Sequence, residues 1–255
     1  MKKLLLLLLT LFNVGVFVYA QNDSSKNTSR VIIIPYQSMM YFSDADQDIA
    51  HFSKSDERTT RNQMRNDVDA NVYHQLLAQF DAISLMRATS LNGEEDLTRI
   101  YGATRYTVYS KQMKQEYSKE KGVEEKSSVK KFMDQFSRKQ KDQTFWVSDS
   151  AVMLGMIGDP DIFKTLSQKY NEKYILFITQ FEINTSNKNT LEWMKQKYVR
   201  EFTVHYNLLD RGGNLLRAET LTVKGGNENS VKEINDKYII VLANKLKEIL
   251  TLTDK

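Results

Sequence analysis

The sequence predicts an α+β fold, a mixed β-sheet with packed helices, closed by a C-terminal β-hairpin and a terminal helix. Three observations predict it. Residues 30–36 read Arg-Val-Ile-Ile-Ile-Pro-Tyr, a β-branched run apolar on both faces, which suits a central strand covered from both sides. Residues 67–80 and 231–249 carry apolar residues at helical spacing. Between them, residues 198–224 alternate around a glycine turn, as a hairpin does. The order of these elements fits one α+β domain over residues 31–255, helices lying on the sheet.

Residues 1–20 precede that domain with Lys2, Lys3, an apolar run from Leu4 to Val18, and Val18-Tyr19-Ala20 ahead of Gln21. A positive start, an apolar middle and small residues at the cut make a secretory signal peptide. The apolar run is shorter than the roughly 20 residues that span a bilayer. A polar linker, residues 21–30, follows. After the first strand, residues 37–65 lack periodicity and read as a long surface excursion, mobile at its middle. Val68, Val72, Tyr73, Leu76, Leu77 and Phe80 then predict a helix from Asp67. Residues 82–87 form a short strand, and residues 93–100 one or two helical turns broken by Gly102. Tyr106 and Val108 alternate with polar neighbours as another strand.

Residues 111–144 hold ten Lys or Arg and six Asp or Glu, a charged helical insertion whose Phe132 and Phe136 share a narrow apolar face. Trp146, just past it, reads as an anchor to the main body. Phe132, Phe136 and Trp146 are the candidate interaction residues. Gly158-Asp159-Pro160-Asp161 starts a helix, with Asp159 as N-cap and Pro160 at the first position. Residues 174–183 are a second buried strand. In the hairpin, Phe202, Val204, Tyr206 and Leu208 face the core, while Glu201, Thr203, His205 and Asn207 face water. The return strand changes parity between Ala218 and Leu221, which predicts a bulge there. The last helix carries its stripe on Val231, Ile234, Tyr238, Val241, Leu242, Leu246 and Ile249.

Composition narrows the function. The chain has no cysteine, so disulfides and a lipid-modified cysteine are both excluded and the core alone stabilises it. Loss of Lys2 and Lys3 with the leader lowers the formal net charge of +4 by two. So small an overall excess does not point to nucleic acid, whose nonspecific binding needs clustered cations, and no nucleic-acid partner is expected.

The strand Val31-Ile-Ile-Ile-Pro-Tyr36 behind a signal peptide, the amphipathic helix after it, and the strand preceded by Tyr101-Gly-Ala103 carry a resemblance, together with the hairpin from Tyr198 through Asp210-Arg-Gly-Gly-Asn214 and the closing helix. They are similar to the envelope α/β module shared by the TolB N-terminal domain, CsgG and the lipoprotein activators of penicillin-binding proteins. The resemblance covers about two-thirds of the mature chain in scattered blocks. It implies protein–protein contact or assembly in the cell envelope, without catalysis. The missing lipidation cysteine and the 111–144 insertion depart from it, and it transfers no site residues.

Asp44, Asp46 and Asp48 alternate as calcium ligands do, but Ile49 and Ser55 stand where a calcium loop has glycine and glutamate, so calcium is the one cofactor candidate and these its ligands. Three histidines without a His-Glu-x-x-His pattern give no catalytic zinc, and no nucleophile elbow or phosphate loop occurs. The reading is therefore an exported, non-catalytic interaction or assembly protein of the bacterial envelope with a protein partner. A secreted hydrolase using a scattered carboxylate pair, or a calcium-stabilised surface module, is the alternative. Membrane contact and self-association stay open.

Overall fold

The computed structural model describes residues 28–109, 146–147, 151–186, 199–226 and 228–254. The signal peptide and the whole 111–144 insertion, with Phe132 and Phe136, lie outside them. In chain order the elements are β1 (Arg30–Ile34), β2 (Tyr41–Ser43), α1 (Asp46–Phe52), α2 (Glu57–Leu76), β3 (Asp81–Ser84), α3 (Gly93–Ala103), β4 (Thr104–Tyr109), β5 (Trp146–Val147), β6 (Val152–Ile157), α4 (Pro160–Tyr170), β7 (Tyr174–Thr185), β8 (Arg200–Asp210), β9 (Leu215–Lys224) and α5 (231–253). This is the α+β architecture that the sequence predicts.

Seven strands form one mixed sheet in the order β3-β1-β7-β8-β9-β5, with β2 joining β7 in line with β1. β1 is parallel to β3 and β7, whereas β7, β8 and β9 run antiparallel. Val31 through Ile34 have no exposure because both faces are covered. Val31 and Ile33 pack in a core beneath α2 and α5; Ile32 and Ile34 pack in a second core with α3, α4 and the separate antiparallel ribbon of β4 and β6. Burying each such side chain stabilises the fold by about 1.5–3 kcal/mol.

Along β7, Leu176 and Ile178 face the first core, but so do Phe181 and Ile183. The change of parity is a bulge, seen as a register shift against β8 between Ile178 and Gln180. Beyond it the second face of β7 turns from apolar to polar, with Gln180 and Glu182.

Five details differ from the sequence reading. Residues 37–65 are ordered: they hold a short 3-10 turn, β2, α1 and the first turns of α2, which Asp56 caps by accepting from Thr59 N–H at 2.9 Å. Their signal is weak because the part of α2 within them buries only Thr60 and Met64, one of them polar. Asp69 has no exposure; burial raises its pKa, and it accepts from Ser84 Oγ at 2.7 Å and Arg87 Nε at 2.8 Å. Gly102 does not break α3, which runs one residue past it.

The predicted bulge at residues 218–221 is absent, because β9 pairs in regular register from Arg217 to Lys224 and the irregularity sits by the turn, where Leu209 opposes Leu215. Ala218 belongs to the second core and Leu221 to the first, so both apolar positions are buried on opposite faces. Thr203, His205 and Asn207 are buried rather than wet; the strand β6, which sequence patterning missed, lies over His205 and Asn207. Finally, α5 contains a five-residue π segment, Asn235–Ile239, that advances its phase. Ile239, Ala243 and Leu250 consequently enter the core while Val241 faces outward.

Candidate functional site

The second face of the sheet organises the site. β6 pairs with β4 along one edge, and a row of side chains takes the place of a neighbouring strand along the other. Ala151, Met153 and Gly155, at alternate positions, turn backbone groups toward that row. Thr220 Oγ1 donates to Ala151 O at 2.9 Å, Thr179 Oγ1 to Met153 O at 2.6 Å, and Asn207 Nδ2 to Gly155 O at 2.8 Å. Met153 N–H donates to His205 Nδ1 at 3.1 Å. Such anchors satisfy backbone groups that burial would otherwise leave unpaired.

Gly155 permits the approach. A Cβ there would stand 2.6 Å from the Phe177 ring.

His205 uses both ring nitrogens. Nδ1 accepts from Met153, so its hydrogen is on Nε2, which lies 3.2 Å from Glu182 Oε1. The hydrogen bond from His205 is the largest influence holding the Glu182 carboxyl below the usual range; burial opposes it, and Asn184 and Gln180 also donate.

Where β6 leaves the sheet, a cavity of about 520 Å³ opens between the α3–β4 junction, the turn at residues 158–159 and the β8–β9 turn. Leu154, Met156, Phe163 and Leu209 give it apolar walls, and Arg105 and Asp159 are its ionisable residues. Asp159 Oδ1 accepts from Asp161 N–H at 2.9 Å, capping α4, and Oδ2 lies 3.5 Å from Arg99. The β8–β9 turn is held by Asp210, whose Oδ1 accepts from Gly212 and Asn214 N–H, both at 2.8 Å. Gly213 adopts φ 78°, and a Cβ there would meet the Phe163 ring at 2.4 Å. Asn207 lines the cavity and is 2% exposed; its Oδ1 has no hydrogen-bond partner.

The sequence-predicted site residues lie elsewhere. Asp44 accepts from Thr185 Oγ1 at 2.7 Å and Thr185 N–H at 3.0 Å. Asp46 is buried against Arg61 Nε at 2.5 Å and Tyr41 OH at 2.8 Å, and Asp48 accepts from the fully buried Arg200 at 3.1 Å. Alternation brings side chains together on a strand, but Asp46 and Asp48 are two apart on a helix and diverge. Among the described residues no three His, Cys, Asp or Glu converge as metal ligands. Trp146 begins β5, whose backbone pairs with β9 opposite Arg217. Sequence reasoning missed Thr179, His205, Asn207 and Thr220 as a unit. The lone glycine inside the apolar run Val-Met-Leu-Gly-Met-Ile, residues 152–157, was the available signal of a close backbone approach.

The Arg200 guanidinium also donates to Glu228 O at 2.9 Å, tying α1 to the β9–α5 connection. Burial raises the pKa of the Glu228 carboxyl, but hydrogen bonds from Tyr238 and Lys237 outweigh it and hold that pKa down to about 2. No described helix is long and apolar enough to cross a membrane.

The chain matches no family model and no curated protein. Among solved structures it is similar to the crystal structure of lipoprotein GNA1162 from Neisseria meningitidis, with 12% identity and a TM-score of 0.33, over 86% of this chain and 99% of that chain. A likeness of that size carries no inference about function. The resemblance to the envelope α/β module rests on the sequence blocks alone.

Proposed function

We propose that this chain is an exported, non-catalytic interaction or assembly protein of the bacterial cell envelope, working in the periplasm or outside a Gram-negative cell. The observation that carries the reading is the use made of the polar residues on the second sheet face. Thr179, His205, Asn207 and Thr220 hold the backbone of β6, so side chains of the kinds that acid–base chemistry draws on serve architecture instead. The cavity supports the same reading. Among the described residues Asp159 is its one carboxylate, and it already caps α4, whereas a hydrolytic carboxylate pair needs two groups facing the substrate.

The test is expression of the full chain in a Gram-negative host, with photocrosslinking side chains at Arg105 and Gly212 on the cavity rim and at Glu248 on α5. Processing between Ala20 and Gln21, with a discrete envelope adduct from the rim positions only, is the expected result. An unprocessed protein retained in the cytoplasm, or adducts indifferent to position, would overturn the reading.

A further inference from the structure

We propose that the cavity between the β4–β6 ribbon and the β8–β9 turn binds a small monocarboxylate with an apolar body, its carboxylate seated on the Arg105 guanidinium. This deepens the reading of the molecule as a binding rather than a catalytic protein, and rests on it.

Elimination singles out Arg105. Of the other polar side chains in the lining, Thr104 Oγ1 donates to Ile100 O at 2.7 Å and Asp159 Oδ1 caps α4. Asn207 and Asn214 donate through Nδ2 to Gly155 O and Asp210 Oδ2, each at 2.8 Å, and the Asn207 oxygen is closed off from the cavity. All four hold the fold. Arg105 is exposed, and among the described residues its guanidinium makes no hydrogen bond or ion pair. On β4 it stands opposite Met156 of β6, and directly opposed residues of an antiparallel pair project from the same face. A cation and an apolar wall are therefore side by side.

The charge left over is positive. Asp159 is answered by Arg99, 3.5 Å from its Oδ2, and by the N-terminus of α4 that it caps. Arg105 is then the uncompensated group, and its fork of donors matches the two oxygens of a carboxylate. Among the described residues the lining holds no second cation for a more highly charged anion. The body follows from the walls. Leu154, Met156, Phe163 and Leu209 present apolar surface, and about 520 Å³ falls within the roughly 300–1,000 Å³ of small-molecule sites. Leu154, Phe163 and Leu209 are buried whereas Arg105 is exposed, so the apolar body points inward and the carboxylate stays at the rim.

Octanoate, octanamide and butanoate separate the two features. The amide keeps the chain and removes the charge, and the short acid keeps the charge and removes four methylenes. Each is titrated at millimolar concentration into the unaltered protein while backbone amide resonances are followed by NMR. The expected result is that octanoate shifts Arg105, Met156 and Gly213, binding roughly fivefold or more tightly than octanamide and roughly tenfold or more tightly than butanoate. In Arg105→Gln octanoate falls to the level of octanamide, which binds both proteins alike. That side chain bonds to nothing in the described fold, so the variant keeps the amide pattern of the β4–β6 ribbon. Equal binding of octanoate and octanamide, an octanoate preference that survives Arg105→Gln, shifts confined to other regions, or no binding of octanoate would overturn the proposal. Such an outcome leaves processing and rim crosslinking untouched, whereas their failure would overturn the envelope reading itself.

Discussion

The backbone N–H of Met153 donates to Nδ1 of His205 at 3.1 Å, and this contact fixes where the imidazole carries its hydrogen. A nitrogen that accepts cannot also be protonated, so the hydrogen is on Nε2 and faces Glu182. Long-range ¹H–¹⁵N correlation at neutral pH is expected to show the Nε2–H tautomer for His205. His205→Ala strands the Met153 N–H and removes the donor to Glu182. A loss of about 1–3 kcal/mol in urea unfolding is expected.

Gly155→Ala sets a methyl group 2.6 Å from the Phe177 ring and 3.0 Å from the Thr179 methyl, so β6 must lift from the sheet. Overpacking of this kind costs about 1–3 kcal/mol. The lift also lengthens the bond from Asn207 to Gly155 O. Amide exchange faster across 152–157 than across β1 is the accompanying signature.

Gly102→Ala has the opposite sign. The residue lies within α3, and a Cβ there meets nothing within 4 Å, so the substitution removes backbone freedom from the unfolded chain without a clash. Stabilisation by about 0.5–1 kcal/mol is expected in thermal or urea unfolding. Were Gly102 a helix breaker, the variant would be neutral or destabilised.

Acid sensitivity follows from Glu228. Its folded pKa, about 2, lies below the usual 4.5, so its ionised form is favoured in the folded state. That contribution is present above the unfolded value and is lost as pH falls from about 4.5 toward 2. Glu228→Gln should therefore be less stable than the native protein at pH 7, with the gap narrower at pH 3 and closing toward pH 2. Asp69 and Glu172 are raised by burial and act in the other direction, so the informative quantity is this difference rather than the whole acid curve. A gap independent of pH would show that the carboxylate charge is not used.

Much of the fold was legible in the sequence because its strongest signals report burial directly. Val31–Ile34, the stripe of α4 on Ile162, Phe163, Leu166 and Tyr170, and the cap Asp159 with Pro160 each depend on neighbours close in sequence. What escaped depends on partners far away. His205 and Asn207 alternate with core residues as solvated residues do, and only the strand laid over them, some 50 residues distant, makes them interior. The aspartates at 44, 46 and 48 mimic a metal loop until α1 turns them toward Thr185, Arg61 and Arg200. The π segment of α5 is likewise invisible to a fixed period of 3.6 residues. For the site, the sequence supplied every residue but not the juxtaposition.

The way β6 is fastened has one more consequence. Its attachments to the large sheet are side-chain bonds from Thr179, His205, Asn207 and Thr220, with no shared ladder. The ribbon is thus a separate layer, held on the sheet by these bonds and by Val152, Leu154 and Tyr109 in the second core, and it shares no rung with the seven strands beneath among the described residues.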